Sequence, residues 1–152
     1  MPFQFTQKST LTTSPEKLWT DITQFKNINY ELMPFARMTC PKHLNTLAPD
    51  SIPLDTPLFK SIILLLGIIP IDLHCLQISQ FKPQQGFWEN SSSMMHRTWQ
   101  HTRTLTPINE HNTQLSDTLL FEPRLPFIGY LLLPIYKMVF ENRHQKLIRK
   151  YG

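Results

Sequence analysis

Residues 95–121, MHRTWQHTRTLTPINEHNTQLSDTLLF, decide the fold. Met95 to Leu105 and Thr113 to Phe121 each alternate in character from residue to residue, and Pro107 to Asn112 between them is rich in turn formers. Such alternation marks strands whose two faces meet different surroundings, and two of them joined by a short polar turn pair as an antiparallel hairpin. One face of the first strand carries Met95, Arg97, Trp99, His101, Arg103 and Leu105; the other carries His96, Thr98, Gln100, Thr102 and Thr104. The bulkier face, with the tryptophan, is the inward one. On the second strand Leu115, Asp117, Leu119 and Phe121 share a face against Ser116, Thr118 and Leu120. Facing residues lie on the same side of a sheet, so a turn centred near Asn109 and Glu110 sets Asp117 opposite Arg103 or His101. His101, Arg103 and Asp117 are therefore expected to form one polar cluster on a concave face, with Phe87 and Glu89 reaching the same surface near Arg97.

Working outward, Leu58 to Leu66, Leu73 to Phe81 and Gly86 to Ser91 read as further strands, separated by Gly67 and Pro70, a KPQQG turn and a serine-rich corner at Ser91 to Ser93. Short links between sequential strands make an antiparallel meander. Upstream, Phe3 to Leu11 alternates as a half-buried strand, with Phe3, Phe5, Gln7, Ser9 and Leu11 on its more apolar side. Ser14, Pro15 and Glu16 then supply a helix cap, a first-turn proline and a first-turn acid. Leu18, Ile22 and Phe25 give that helix one apolar face, widened by Trp19. A second short helix over Asn27 to Leu32 ends before Pro34, and Phe35 to Pro41 is a short strand. Lys42 to Pro57, with three prolines and few large apolar groups, is a loop long enough to be a lid or a surface connection. Downstream, Phe127 to Tyr151 is a helix that Pro134 should kink or restart. The only large apolar element left to cover the sheet is that last helix, and a sheet that curls around it without touching it everywhere leaves a cavity.

Composition bounds the rest. A chain of 152 residues with no repeats reads as a single domain over 1–152 and can bury a core. Thirteen prolines against four glycines punctuate strands and stiffen loops. The net charge of +4 is mild, and its densest group, Arg143 to Lys150, complements the end of the last helix, with His144 expected at the surface. No dense basic stripe with exposed aromatics accompanies it, so nucleic acid is not an expected partner. Cys40 and Cys75 form no CxxC pair, the N-terminus has no basic-then-apolar leader, and Ile62 to Ile71 is about half of a membrane span. The expected location is the cytoplasm. No metal-ligand spacing, phosphate loop or nucleophile elbow is present, so no metal or cofactor is expected.

SPEKLW at 14–19 followed by DITQF resembles the first helix of the START-like (SRPBCC) superfamily, which includes polyketide cyclase/dehydrases, the birch pollen allergen and lipid-transfer START domains. WQHTRTL, LSDTLLFEPRLPFIG and FENRHQKLIRKYG are similar to a bacterial branch of it, whose pattern falls on Trp99, His101, Arg103, Asp117, Arg124, Arg143 and His144. The resemblance implies an α+β helix-grip fold: a curved antiparallel sheet of six to seven strands around a long C-terminal helix, with two short helices after the first strand. It brings no catalytic residue set.

Three functions follow as expectations. The leading one is non-catalytic binding, transport or sequestration of a small hydrophobic or amphipathic molecule such as a lipid or polyketide. Its liners on the sheet would be Phe87, Glu89, Arg97, Trp99, His101, Arg103, Asp117 and Phe121, and on the helix Ile135 and Met138. The alternative is a cyclase or dehydratase in which His101 is the general base and Asp117 orients it. The third is a membrane-surface or protein-interaction module using the last helix, which requires Leu132, Tyr136 or Phe140 to be exposed. The sequence leans away from an enzyme and says nothing of oligomeric state.

Overall fold

The computed structural model describes residues 2–44, 46 and 52–152. In chain order it has β1 (Phe3–Leu11), α1 (Pro15–Ile22), α2 (Phe25–Leu32), β2 (Ala36–Met38), β3 (Pro57–Leu65), β4 (Ile69–Lys82), β5 (Gly86–Ser93), β6 (His96–Pro107) and β7 (Thr113–Pro123). A 3-10 turn at Pro126–Ile128 leads into α3 (Gly129–Tyr151). The strands form one seven-stranded antiparallel sheet in the order β1-β7-β6-β5-β4-β3-β2, a meander whose first strand returns beside its last. The sheet curls around α3, so the architecture is the expected helix grip.

The local signals act as the sequence implied. Ser14 accepts a hydrogen bond from the Lys17 amide and Pro15 opens α1, whose Leu18, Trp19 and Ile22 turn into the core. Asp117 pairs with Arg103 across β6–β7, which settles the register that parity had left between Arg103 and His101. α3 runs parallel to β1: Phe3 packs edge-on against Tyr130 at one end, and the Thr12 amide donates to the Tyr151 carbonyl at the other. Gly129 is required at the first end, because a Cβ there would fall 2.0 Å from the Phe3 ring.

Three expectations are corrected. Ser91 to Ser93 is no corner but the end of β5, with Ser91 and Ser93 turned inward. α3 runs through Pro134 as one helix; the missing amide deprives only Tyr130, at the exposed start of the helix, of its donor. A register shift between His96 and Thr98 bulges the start of β6, so Arg97 points to solvent and His96 takes the inward position. The Lys42 to Pro57 connection falls partly on residues 45 and 47–51, which lie outside the described residues; on either side of them Leu44 and Ile52 are buried in the core.

The interior is layered. A lower apolar cluster joins α1 and α2 to Leu76, Ile78, Phe87, Leu105, Leu115 and Leu147. An upper one joins Phe3, Phe5, Leu119, Phe121 and Trp99 to Leu132, Tyr136 and Phe140 of α3. Along β7 the sequence passes from one to the other at Asp117, between Leu115 and Leu119, and along α3 at Arg143 and His144, between Leu147 and Phe140.

Candidate functional site

The layer between the two clusters is made of ionisable side chains. Inward positions of the sheet supply Ser9, His74, Glu89, His101, Arg103 and Asp117; α2 supplies Glu31, and α3 supplies Arg143 and His144. Arg103 is fully buried. Its Nε and Nη2 donate to Asp117 Oδ1 and Oδ2 at 2.7 and 2.8 Å, and its Nη2 and Nη1 donate to Glu31 Oε1 and Oε2 at 2.8 and 3.2 Å. Arg143 Nε donates to Glu31 Oε1 at 3.1 Å. Planar guanidinium groups suit this paired recognition, which is how a buried charge is made tolerable.

Asp117 is the hub. Besides Arg103 it accepts from His101 Nε2 and from His144 Nε2, both at 2.8 Å. Because a carboxylate oxygen only accepts, His144 donates to Asp117 from Nε2, and its Nδ1 lies 2.6 Å from Ser9 Oγ. Burial pushes the Asp117 carboxyl up, but the Arg103 guanidinium and the bonds from His101 and His144 outweigh it and hold it well below the carboxylate range. Glu89 behaves alike: burial raises it, and His74 with His101 brings it far lower. His74 Nε2 and Ser91 Oγ donate to Glu89 Oε2 at 2.6 and 2.7 Å. Burial disfavours the His74 cation, yet the Glu89 charge wins and raises the imidazole above its usual value.

Toward the upper end, Tyr136 of α3 meets His96 Nε2 through its hydroxyl at 2.8 Å, and Ser93 Oγ and Asp72 Oδ2 lie 3.0 and 3.5 Å from His96 Nδ1. Burial, then the Asp72 charge, raises the Tyr136 phenol, so it stays a neutral hydroxyl. Trp99 packs edge-on against His74, His96 and Tyr136.

Of the expected site residues, Phe87, Glu89, Trp99, His101, Arg103, Asp117 and Phe121 lie together on the concave face. Arg97 does not: its side chain is 66% exposed and pairs with Glu122 on the outside, a result of the bulge. Glu89 accordingly meets His74 and His101 rather than Arg97. Ile135 and Met138 are 41% and 47% exposed, because the helix turns Tyr136 and Phe140 inward instead. His144, expected at the surface, is 1% exposed. Phe140 is buried and Leu132 and Tyr136 are half-buried, so the exposure that the third expectation required of these three residues is not found. Sequence reasoning missed Glu31, His74, His96 and Arg143 as partners. Glu31 follows Phe25 and Ile28 at helical spacing on the buried face of α2, a signal that was legible.

The chemistry open to this layer is narrow. Both ring nitrogens of His101 face carboxylates, Asp117 at 2.8 Å and Glu89 at 3.8 Å, so neither faces a substrate. Ser9, His144 and Asp117 are connected like a nucleophilic triad, but Ser9 lies within β1 and not on a turn that would converge amide donors on an oxyanion. Among the described residues no cluster of histidine, cysteine and carboxylate groups is placed to hold a metal ion. α3 also closes directly on the layer through His144 and Arg143, so the space expected between helix and sheet is filled at this level. A separate open groove of about 430 Å³ lies outside the grip, lined by Lys17, Asp21, Lys26 and Lys150 among others.

Solved structures share the whole fold. A START superfamily protein from Mycobacterium smegmatis superposes with a TM-score of 0.71 at 11% identity, covering 97% of this chain and 96% of that one. The Zhui aromatase/cyclase from Streptomyces sp. R1128 gives 0.68 at 9% identity over 99% and 93%, and Ara h 8.0201 gives 0.61 at 10% over 98% and 99%. No curated protein matches the sequence. The fold is thus that of the START-like superfamily, and residues 9–151 match one family model, so the chain belongs to the family described as a domain of unknown function (DUF8410).

Proposed function

We propose that this chain acts as a single domain that binds a small amphipathic molecule in the upper half of the grip, between Trp99 and the first half of α3, with its polar end toward His96 and Tyr136. The observation that carries this reading is an unequal helix–sheet contact. Phe140, Arg143, His144 and Leu147 are buried against the sheet, whereas Leu132, Leu133, Tyr136 and Val139 are only half-buried and Leu131, Ile135 and Met138 are exposed. This less buried half is lined with aromatic and aliphatic groups and floored by convergent polar ones, the usual makeup of a ligand site. The similarity to a START superfamily protein and an aromatase/cyclase supports the class of ligand, a lipid-like or polyketide-like molecule, by analogy of fold alone. The carboxylates around His101 weigh against the cyclase alternative.

The test is uptake of a fluorescent long-chain fatty acid by delipidated protein, read as energy transfer from tryptophan. Wild type should quench on titration, and Leu132→Trp, which fills the less buried half, should weaken uptake about tenfold or more. No uptake of acidic, basic or neutral apolar probes, or uptake indifferent to Leu132→Trp, would remove the proposal.

A further inference from the structure

We infer that the upper end of the molecule is a docking surface for an anionic lipid bilayer, an inference independent of any ligand held inside. The topology gathers the starts of β1, β2, β4 and β6, the ends of β3, β5 and β7, and the start of α3 at one end of the sheet. Two uncharged stretches lie at this end, Ser61 to Ile71 and Leu125 to Tyr136. In the first, the β3–β4 hairpin tip exposes Leu65, Leu66, Ile68, Ile69 and Ile71, with Ile68 at 76%. In the second, Leu125, Phe127, Tyr130 and Leu131 are all more than half exposed, Phe127 at 71%. Met94, 69% exposed, joins the two: its amide bonds Leu73 beside the hairpin, and Met95 next to it accepts from the Arg124 amide. At the opposite end the turns are Pro83 to Gln85 and Ile108 to Asn112, mostly polar.

An apolar surface of this extent needs a partner, and two features select a bilayer. First, Ile68, Ile69, Pro70 and Ile71 are exposed in succession. Successive strand residues point to opposite faces, so both faces of the hairpin tip are bare. A second protein laid against the sheet covers one face; a fluid apolar phase receives both. Second, the exposed charges around this end are cationic: Arg37, opposite Leu64 across β2–β3, and Arg124, after the end of β7, with Arg97 beside the start of β6 shared with Glu122. The carboxylates of the same end are drawn back, Asp72 onto His96 and Glu122 onto Arg97. Apolar side chains that enter the headgroup region, ringed by arginines that stay among the phosphates, make an interfacial anchor.

The experiment is co-sedimentation with vesicles of phosphatidylcholine, with and without one-third phosphatidylglycerol. Wild type should bind the anionic vesicles at least tenfold better, and about 0.5 M salt should weaken that preference by screening the arginines. Ile68→Ser with Phe127→Ser, both at exposed positions and checked for an unchanged circular dichroism spectrum, should reduce binding about tenfold. A tryptophan placed by Ile68→Trp should be quenched by brominated acyl chains. Absence of binding to anionic vesicles, binding untouched by the double substitution, or concentration-dependent self-association that the double substitution abolishes would each overturn the inference, the last in favour of a second copy of the chain.

Discussion

His144 Nε2 on α3 lies 2.8 Å from Asp117 Oδ2 on β7, and the same ring holds Ser9 Oγ on β1 at 2.6 Å. One imidazole therefore ties the helix to two neighbouring strands at the level where the two apolar clusters part. A purely apolar interface would let α3 slide along the sheet at small cost; donors and acceptors with fixed partners give it one register. This fixes the lower half of the helix; the upper half is held by Tyr136, which bonds His96 and packs against Trp99 and Phe121.

Asp117→Asn should be severely destabilising. It removes the charge that Arg103, His101 and His144 share, leaving a guanidinium buried with half its compensation. Loss of one partner of a buried pair costs about 3–5 kcal/mol. Urea unfolding checks this, and a loss below about 1 kcal/mol would show that the layer is not sealed from water.

Glu31 and Arg143 should behave unequally although they touch. Glu31→Gln leaves Arg103 and Arg143 side by side without their shared carboxylate and should also cost about 3–5 kcal/mol. Arg143→Met leaves Glu31 still held by Arg103 and should cost about half as much, the loss of one charged hydrogen bond. Parallel denaturation curves decide; equal losses would mean that Arg143, not Arg103, is the principal partner of Glu31.

Stability should peak on the weakly acid side of neutrality. Asp117 and Glu89 are held below their ordinary values of 3.8 and 4.5, so their contribution is complete above those values and is lost as pH falls toward the depressed ones. His74 is held above its ordinary 6.5, so its contribution is complete below 6.5 and is lost as pH rises through the raised value. The window of greatest stability is therefore pH 4.5 to 6.5. Urea midpoints across the pH range test this, and His74→Gln should flatten the alkaline limb and also shrink the acid one, because the His74 charge helps hold Glu89 down, leaving the Asp117 part in place.

Pro134→Ala should stabilise the protein. The helix continues through this exposed position with one carbonyl lacking its donor, and restoring the amide should gain about 1–3 kcal/mol. A thermal melt suffices; destabilisation would mean that the proline ring itself packs against something essential.

Much of this architecture was legible in the sequence because each strand buries one face. Period-two alternation placed Asp117 opposite Arg103 or His101, and elimination placed α3 against the sheet. The failures are local and have physical causes. A bulge shifts parity by one, which sent Arg97 outward and His96 inward without any change in composition to announce it. A basic helix end reads as solvated, which hid the burial of Arg143 and His144 among partners far away in sequence. On the same helix Ile135 and Met138 look more apolar than Tyr136, yet Tyr136 faces inward because its hydroxyl finds His96. Whether the helix would fill the grip or leave room depends on side-chain volumes meeting in three dimensions, which periodicity does not encode.

The most direct test of ligand binding in the upper half is a crystal structure of the protein saturated with a medium-chain fatty acid. Density for the chain should lie between Trp99 and Leu132, with the carboxylate within hydrogen-bonding distance of Tyr136 or His96. A ligand seated in the outer groove by Lys17 and Lys150, with Leu132 and Tyr136 unmoved against Trp99, would contradict it.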